Sequence, residues 1–195
     1  KLDGAGLMIP GTVLVQMPYD PDTYETADEA HERAAERKHL IFTELCQLLG
    51  ATRVHLKVLE TKSDKGEARA DLSGSRPAVT GKGHVEKKTV EALASTMTLD
   101  DRYVGGAANL EEAERLLERT HLTSDPLMGQ LLRARSSSNK LRSRKYTVDL
   151  SRESSRHVKA AAQLKVPGFL SLDASALQVS TNALKYHATY EVSFE

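Results

Sequence analysis

The side chains best suited to binding a ligand lie in residues 133–145, which we call the basic segment. It holds six positive charges and no negative one, on Arg133, Arg135, Lys140, Arg142, Arg144 and Lys145. A guanidinium is a planar fork of N–H donors that binds phosphate or carboxylate oxygens in pairs. Serines and Asn139 between the cations predict a mobile loop, because these residues favour turns. The basic segment is therefore predicted to bind an anion.

This positive charge contrasts with a chain that is neutral, with 27 Lys and Arg against 27 Asp and Glu. Residues 131–195 carry a net charge of +6, and residues 1–130 carry −6. Such a separation predicts an anionic partner for the C-terminal half, head-to-tail self-association, or self-complementary packing within the domain. The sequence leaves these three arrangements open.

Three classes of anionic partner fit this chemistry: nucleic acid, an acidic lipid surface and an acidic protein. The basic segment contains no aromatic residue, which disfavours stacking on single-stranded nucleic acid. Arg152, Arg156 and Lys159 follow in the sequence and are predicted to support the site. We expect a non-enzymatic binding module whose class of anionic partner stays undecided.

A second group of polar residues, at 80–84 and Glu86, suggests an alternative function as a small enzyme. His84 and Glu86 flank Val85 and could share one face of a strand for acid–base chemistry or metal binding, and Lys82 could join them in a pocket. Residues 80–84, Thr-Gly-Lys-Gly-His, also resemble a phosphate-binding loop, but Gly83 stands where a P-loop requires Ser or Thr. A flexible turn is therefore the preferred interpretation of residues 80–84.

Other signs of catalysis or metal binding are weak. The seven histidines are scattered and are expected at the surface. The single cysteine, Cys46, is expected in the core because it lies near the apolar face of a predicted helix. We therefore expect no catalytic residue, no metal site and no cofactor.

Composition is that of a soluble globular chain, with 195 residues, 39% hydrophobic and 28% charged. This length suits a single domain over residues 1–195. No apolar run reaches the ~20 residues of a membrane-spanning helix. One cysteine excludes an internal disulfide, so we expect a cytoplasmic protein, membrane-associated if its partner is lipid.

Periodicity predicts the elements of the first half of the chain. Residues 12–17 form an apolar strand, and residues 18–24 a turn-rich connection. Thr26 and Glu29 have capping-box spacing and begin a long helix that ends at Gly50. Two alternating runs over 54–74 predict a β-hairpin, and residues 74–83 are expected to be irregular.

Shorter helices follow in the centre of the chain. Residues 86–98 suit a helix, and Asn109 with Glu112 repeats the capping-box spacing. Residues 124–126, Ser-Asp-Pro, open a further helix that runs into the basic segment. The basic segment is thus expected to connect a helical layer to the C-terminal strands.

The C-terminal region alternates between apolar and polar residues over 146–150, 158–166, 170–176 and 184–194. This pattern predicts a four-stranded antiparallel meander. The predicted fold is α+β, an antiparallel sheet covered by one long helix and two or three shorter ones. Its expected sub-layers are residues 1–75 (strand, helix, hairpin), 86–135 (helical) and 145–195 (meander).

The alternating strands also allow a membrane-active, pore-forming alternative. Amphipathic strands of about nine to eleven residues can cross a bilayer in a β-barrel. The hairpins expected over 54–74 and 145–176 would insert, and the basic segment would recruit acidic lipid.

Overall fold

The structure, a computed structural model, describes residues 14–26, 29–74, 76–97, 99–163 and 185–194, with the backbone alone at 158–163. Its strands are β1 (Leu14–Met17), β2 (Asp20–Thr26), β3 (Arg53–Lys62), β4 (Glu67–Asp71), β5 (Ala78–Lys82), β6 (Asp100–Arg102), β7 (Ser143–Asp149) and β8 (Lys185–Ser193). Its helices are α1 (Ala30–Leu48), α2 (His84–Thr96), α3 (Leu110–Arg119), α4 (Pro126–Ser136) and α5 (Arg152–Gln163).

All strand pairs in this part of the chain are antiparallel. β1 and β2 form a two-stranded ribbon, and a six-stranded sheet has the order β5-β4-β3-β8-β7, with β6 pairing β3 beyond the end of β4. β3 and β8 are the long central strands, in a register that places Leu56 opposite Tyr190. The predicted α+β class with an antiparallel sheet is confirmed.

The core lies between one face of this sheet and the helices. Alternate side chains of β8, among them Tyr186, Ala188 and Tyr190, are buried on that face. Phe42 of α1 packs on Tyr190, with ring centroids 4.6 Å apart, and on Tyr146 of β7, at 6.1 Å. The opposite face carries charged side chains, which the alternation of each strand directs away from the core.

Helix starts follow local capping chemistry in two of three predicted places. The Asn109 side chain accepts the Glu112 N–H, and Asp125 accepts the N–H groups of Leu127 and Met128. The box predicted at Thr26 and Glu29 is wrong. There α1 begins at Ala30, and Glu29 donates its N–H to the Thr26 carbonyl without a side-chain cap.

Two strands occupy segments for which the sequence predicts no strand. β2 covers most of the predicted turn at 18–24, because β1 pairs with it from Leu14↔Thr26 onward. β5 crosses the segment expected to be irregular, and its Gly81 faces Ala68 on β4. A Cβ at Gly81 would lie 2.4 Å from the Glu67 carbonyl oxygen, so glycine is what permits this close pairing.

The strand predicted over 158–166 is wrong at 158–163, because α5 spans Arg152–Gln163, and residues 164–166 lie outside the described residues. Alternating alanines at 160 and 162 also belong to a run of three alanines, and alanine is the strongest helix former. β7 and β8 are confirmed as strands and pair directly with each other. The strand predicted at 170–176 lies outside the described residues.

These corrections affect the membrane-active alternative. The return strand expected after β7 is replaced by α5. The β3–β4 hairpin is confirmed, but β8 and β5 flank it on both sides, and Ala68 and Ala70 are buried. Among the described residues, no helix is long and apolar enough to cross a membrane.

Candidate anion-binding site

The basic segment runs from the last turn of α4 into the first residues of β7. Arg133 and Arg135 belong to α4, and Arg144 and Lys145 belong to β7. Only residues 137–142 lie between these elements, where Leu141 donates its N–H to the Ala134 carbonyl. The predicted mobile loop is therefore a short connection held by regular structure at both ends.

Arg135 lies beneath this connection rather than on its surface. It is 4% exposed, and its guanidinium donates to the carbonyls of Leu49 (3.0 Å) and Leu141 (2.7 Å). The same group lies 4.3 Å from the centroid of the Phe194 ring. Arg135 thus holds the connection against the core, and a spacing of four and seven residues from Leu131 and Met128 is the sequence signal for its burial.

The other five cations of the basic segment are exposed. The Arg144 guanidinium lies 5.4 Å from the centroid of the Tyr146 ring, which orients it. Within the described part of the chain, no carboxylate lies within ion-pair distance of Arg133, Lys140, Arg144 or Lys145. Glu191, opposite Lys145 on β8, pairs instead with Lys57 at 3.5 Å.

The acidic residues of α3 do not neutralise the basic segment through ion pairs between the described residues. Glu111 and Glu112 pair with Arg115 on the same helix. Arg119 joins Glu112 and also Glu44 of α1, the latter at 2.7 Å. Glu111 and Glu112 thus engage cations of α3, and Arg133, Lys140, Arg144 and Lys145 have no ion-pair partner among the described residues.

A hollow of about 340 Å³ opens in the connection between α4 and β7. It is lined by Ala134, Asn139, Lys140, Leu141 and Arg142. An amide and two cationic side chains at one concavity can contact a single phosphate or carboxylate together. The hollow is thus a shallow concavity within the predicted site.

Two of the three cations predicted to support the site, Arg152 and Arg156, lie away from this hollow. α5 begins after the far end of β7, and a strand of seven residues is roughly 20 Å long at about 3.3 Å per residue. Arg152 and Arg156 therefore belong to another part of the surface. The Lys159 side chain lies outside the description.

Lys82, His84 and Glu86 do not form one site. Lys82 and His84 are exposed, whereas Glu86 is buried and accepts a hydrogen bond from the Ser63 hydroxyl. Gly83 has φ +96°, and a Cβ there would lie 2.0 Å from a carboxylate oxygen of Glu86. Residues 80–84 thus form the end of β5 and the start of α2, which pack tightly around Glu86. This packing stabilises the fold and does not bring the three side chains together for catalysis.

A buried ionic cluster around Lys38 was not foreseen from the sequence. Lys38 is fully buried, and its Nζ donates to Asp125 Oδ2 (2.8 Å), Glu153 Oε2 (2.7 Å) and the Asp149 carbonyl (2.8 Å). The Tyr19 hydroxyl also donates to Glu153, at 3.0 Å. The cluster joins α1, α4, α5, β7 and the β1–β2 turn.

The charged groups of this cluster satisfy one another's charges and hydrogen bonds. Burial alone would raise the pKa of Asp125, but Lys38 and the backbone N–H groups of α4 hold it below its usual value. Burial and the adjacent Glu153 raise the pKa of Tyr19, which stays protonated. All three Nζ protons of Lys38 have acceptors, so the cluster stabilises the fold rather than offering a reactive group. Its sequence signal is the position of Lys38 on the buried face of α1, between Ala34 and Ile41.

Three histidines predicted at the surface, His31, His39 and His55, are buried. His39 Nδ1 lies 2.7 Å from the Tyr190 hydroxyl, and burial lowers the pKa of His39 to about 4 despite the opposing charge of Asp101. His31 Nδ1 lies 3.2 Å from the Ser154 hydroxyl, and burial lowers its pKa too. Cys46 is fully buried, as predicted.

Neither the geometry nor known proteins assign a catalytic centre. Among the described residues, no group of three His, Cys, Asp or Glu side chains is arranged to hold a metal ion. Comparison of the chain with protein-family models, with curated protein sequences and with solved structures finds no match. The basic segment therefore stays a candidate site, on the grounds of its charge and exposure alone.

Proposed function

We propose that the protein is a non-enzymatic binding module that contacts an anionic partner through the exposed cations of the basic segment. The observation that carries this proposal is the lack of a carboxylate partner for Arg133, Lys140, Arg144 and Lys145 within the described residues. Of the acidic side chains on α3, Glu111 and Glu112 form ion pairs, and both pair with arginines of the same helix. Cations kept apart from available acids in this way are suited to an external anion.

The ordering of two arginine side chains supports the same proposal. Arg135 bonds the connection to the end of α1, and Arg144 is stacked near Tyr146. Side chains that are already ordered lose less conformational entropy when a partner binds. The basic segment is thus better prepared for binding than a free loop of the same composition.

The test is a binding titration against three polyanions at low salt: a labelled 20-base-pair DNA duplex, polyglutamate, and vesicles rich in phosphatidylserine. We expect binding to at least one of them that weakens steeply as salt is added. For duplex DNA, each phosphate contacted contributes about −0.9 to the slope of log K against log salt. Four contacts would therefore give a slope of roughly −4. Failure of all three polyanions to bind at low salt would refute the proposal.

A matched pair of variants separates the basic segment from general charge. The test variant carries Arg133→Gln, Lys140→Gln and Arg144→Gln. The control carries Lys82→Gln, Lys87→Gln and Lys88→Gln, three exposed cations on β5 and α2 at the other edge of the sheet. We expect the test variant to lose about one unit of salt slope per cation and the control to bind as the native protein does. Equal weakening of both variants would assign the binding to net charge and overturn the proposal.

A further inference from the structure

The outer edge of β7 has backbone groups without partners among the described residues. Among the described strands, β7 is the last of the sheet, with β8 on one side. The bonds Phe194 N–H to Arg142 carbonyl and Leu150 N–H to Tyr186 carbonyl, both 2.8 Å, show which residues of β7 bond to β8. Because bonded and non-bonded pairs alternate in an antiparallel ladder, Ser143, Lys145 and Thr147 direct their N–H and carbonyl groups away from β8.

This edge is cationic and accessible over its first half. Ser143, Arg144, Lys145 and Thr147 are all exposed. Arg144 and Lys145 point to opposite faces of the sheet, so an added strand would meet a cation on either face. Lysine and arginine on an edge strand repel neutral or basic strands. The same charges attract an acidic strand.

We infer that the anionic partner is an acidic segment of another protein that binds in extended conformation as an additional strand along β7. This inference rests on the proposed function, and it names the partner class. Added strands gain affinity from backbone hydrogen bonds and specificity from alternate side chains. The open N–H and carbonyl groups of Lys145 and Thr147 would supply the hydrogen bonds, and Arg144 with Lys145 the charge complementarity. Nucleic acid could use the charges but not the alternating backbone groups.

The experiment uses a labelled ten-residue peptide of alternating glutamate and valine and a second peptide with a central valine replaced by proline. Both peptides carry the same charge, but proline removes a strand hydrogen bond and disfavours pairing. We expect the first peptide to bind about tenfold more tightly than the second, which is the effect of one or two backbone hydrogen bonds. Amide exchange by NMR should slow at Lys145 and Thr147 on binding, while the β8-bonded amide of Tyr146 is protected already.

A matched substitution tests the edge in the protein itself. Lys145→Gln removes the charge and keeps the outward N–H, whereas Lys145→Pro removes both and leaves the bonds to β8 intact. We expect Lys145→Pro to bind the alternating peptide about tenfold more weakly than Lys145→Gln. Circular dichroism checks that both variants fold. If Lys145→Pro does not fold, the amide-exchange measurement on the native protein still tests the inference.

Each outcome separates the inference from the proposed function. Equal binding of the two peptides with no protection at Lys145 or Thr147 overturns the added strand and leaves anion binding intact. Binding of duplex DNA without binding of the alternating peptide has the same consequence. No binding of DNA, vesicles, polyglutamate or peptide overturns both.

Discussion

Lys38 is the residue whose replacement tests the physical account of this fold most directly. We consider Lys38→Met, which keeps the length of the aliphatic stem and removes the ammonium group. Asp125 and Glu153 then lose their cation while remaining 6% and 16% exposed at their side chains. The Asp149 carbonyl loses its donor as well.

The expected loss follows from these contacts. Removing one partner of a buried ion pair lowers the free energy of unfolding by about 3–5 kcal/mol, because the other partner stays buried without compensation. Here Asp125 keeps two backbone N–H donors and Glu153 keeps the Tyr19 hydroxyl, which favours the lower end. We therefore expect Lys38→Met to lower the free energy of unfolding by about 3 kcal/mol at pH 7.

The dependence on pH has a definite sign. In the native protein the pKa of Asp125 lies below its usual value, so the stability from its ionised form is present above about pH 4 and is lost as the pH falls further. In Lys38→Met, burial without a cation favours the protonated carboxyls. The difference in free energy of unfolding between the native protein and Lys38→Met should therefore narrow as the pH falls from 7 towards 4.

The assay is urea denaturation followed by circular dichroism at pH 7 and pH 4. Arg33→Met is the control on the same helix, because Arg33 pairs with Glu36 at 3.4 Å while its side chain is 59% exposed. Such an exposed pair contributes about 0.5 kcal/mol or less. A loss below about 1 kcal/mol for Lys38→Met at pH 7, or a gap that widens on acidification, would refute the reasoning.

Three further predictions concern other buried groups. The pKa of His39 is about 4 in the folded protein and about 6.5 in the unfolded chain, so the native protein should lose stability as the pH falls from about 6.5 to 4. The urea midpoint of His39→Phe should fall less steeply over this range. Equal slopes of urea midpoint against pH for the two proteins would contradict this prediction. Arg135→Met should lower the free energy of unfolding by about 2 kcal/mol, since two carbonyls lose their donor. As a control, replacement of exposed Arg133 by Met should change it by less than about 0.5 kcal/mol. Similar urea midpoints for the two variants would show that Arg135 does not hold the connection against the core. The Cys46 thiol should resist a thiol reagent until the protein unfolds, because it is fully buried and burial raises its pKa; rapid labelling of the native protein would contradict this.

Local chemistry made much of the fold readable from the sequence. Asn109 and Asp125 cap helices because their side-chain oxygens accept N–H groups two or three residues away, which requires no distant contact. The β3–β4 hairpin and strands β7 and β8 follow from period-two alternation with one buried face. The basic segment was visible as charge alone.

Non-local pairing explains what the sequence did not reveal. β2 and β5 are strands because β1 and β4 supply hydrogen-bonding partners, although Pro21 with its flanking aspartates and Gly81 disfavour strand structure locally. The alternation at 158–166 could not separate strand from helix, because small alanines suit both periods over so short a span.

The cations show the same division between local and tertiary information. The sequence by itself determined that residues 133–145 would carry six positive charges between a helix and a strand. Only the tertiary structure decided that Arg135 lies beneath the connection, that Lys38 is buried, and that Arg119 of α3 pairs with Glu44 of α1. Burial of a charge depends on which carbonyls and carboxylates the folded chain brings within reach, and those partners lie 86, 87 and 115 residues away for Arg135 and Lys38.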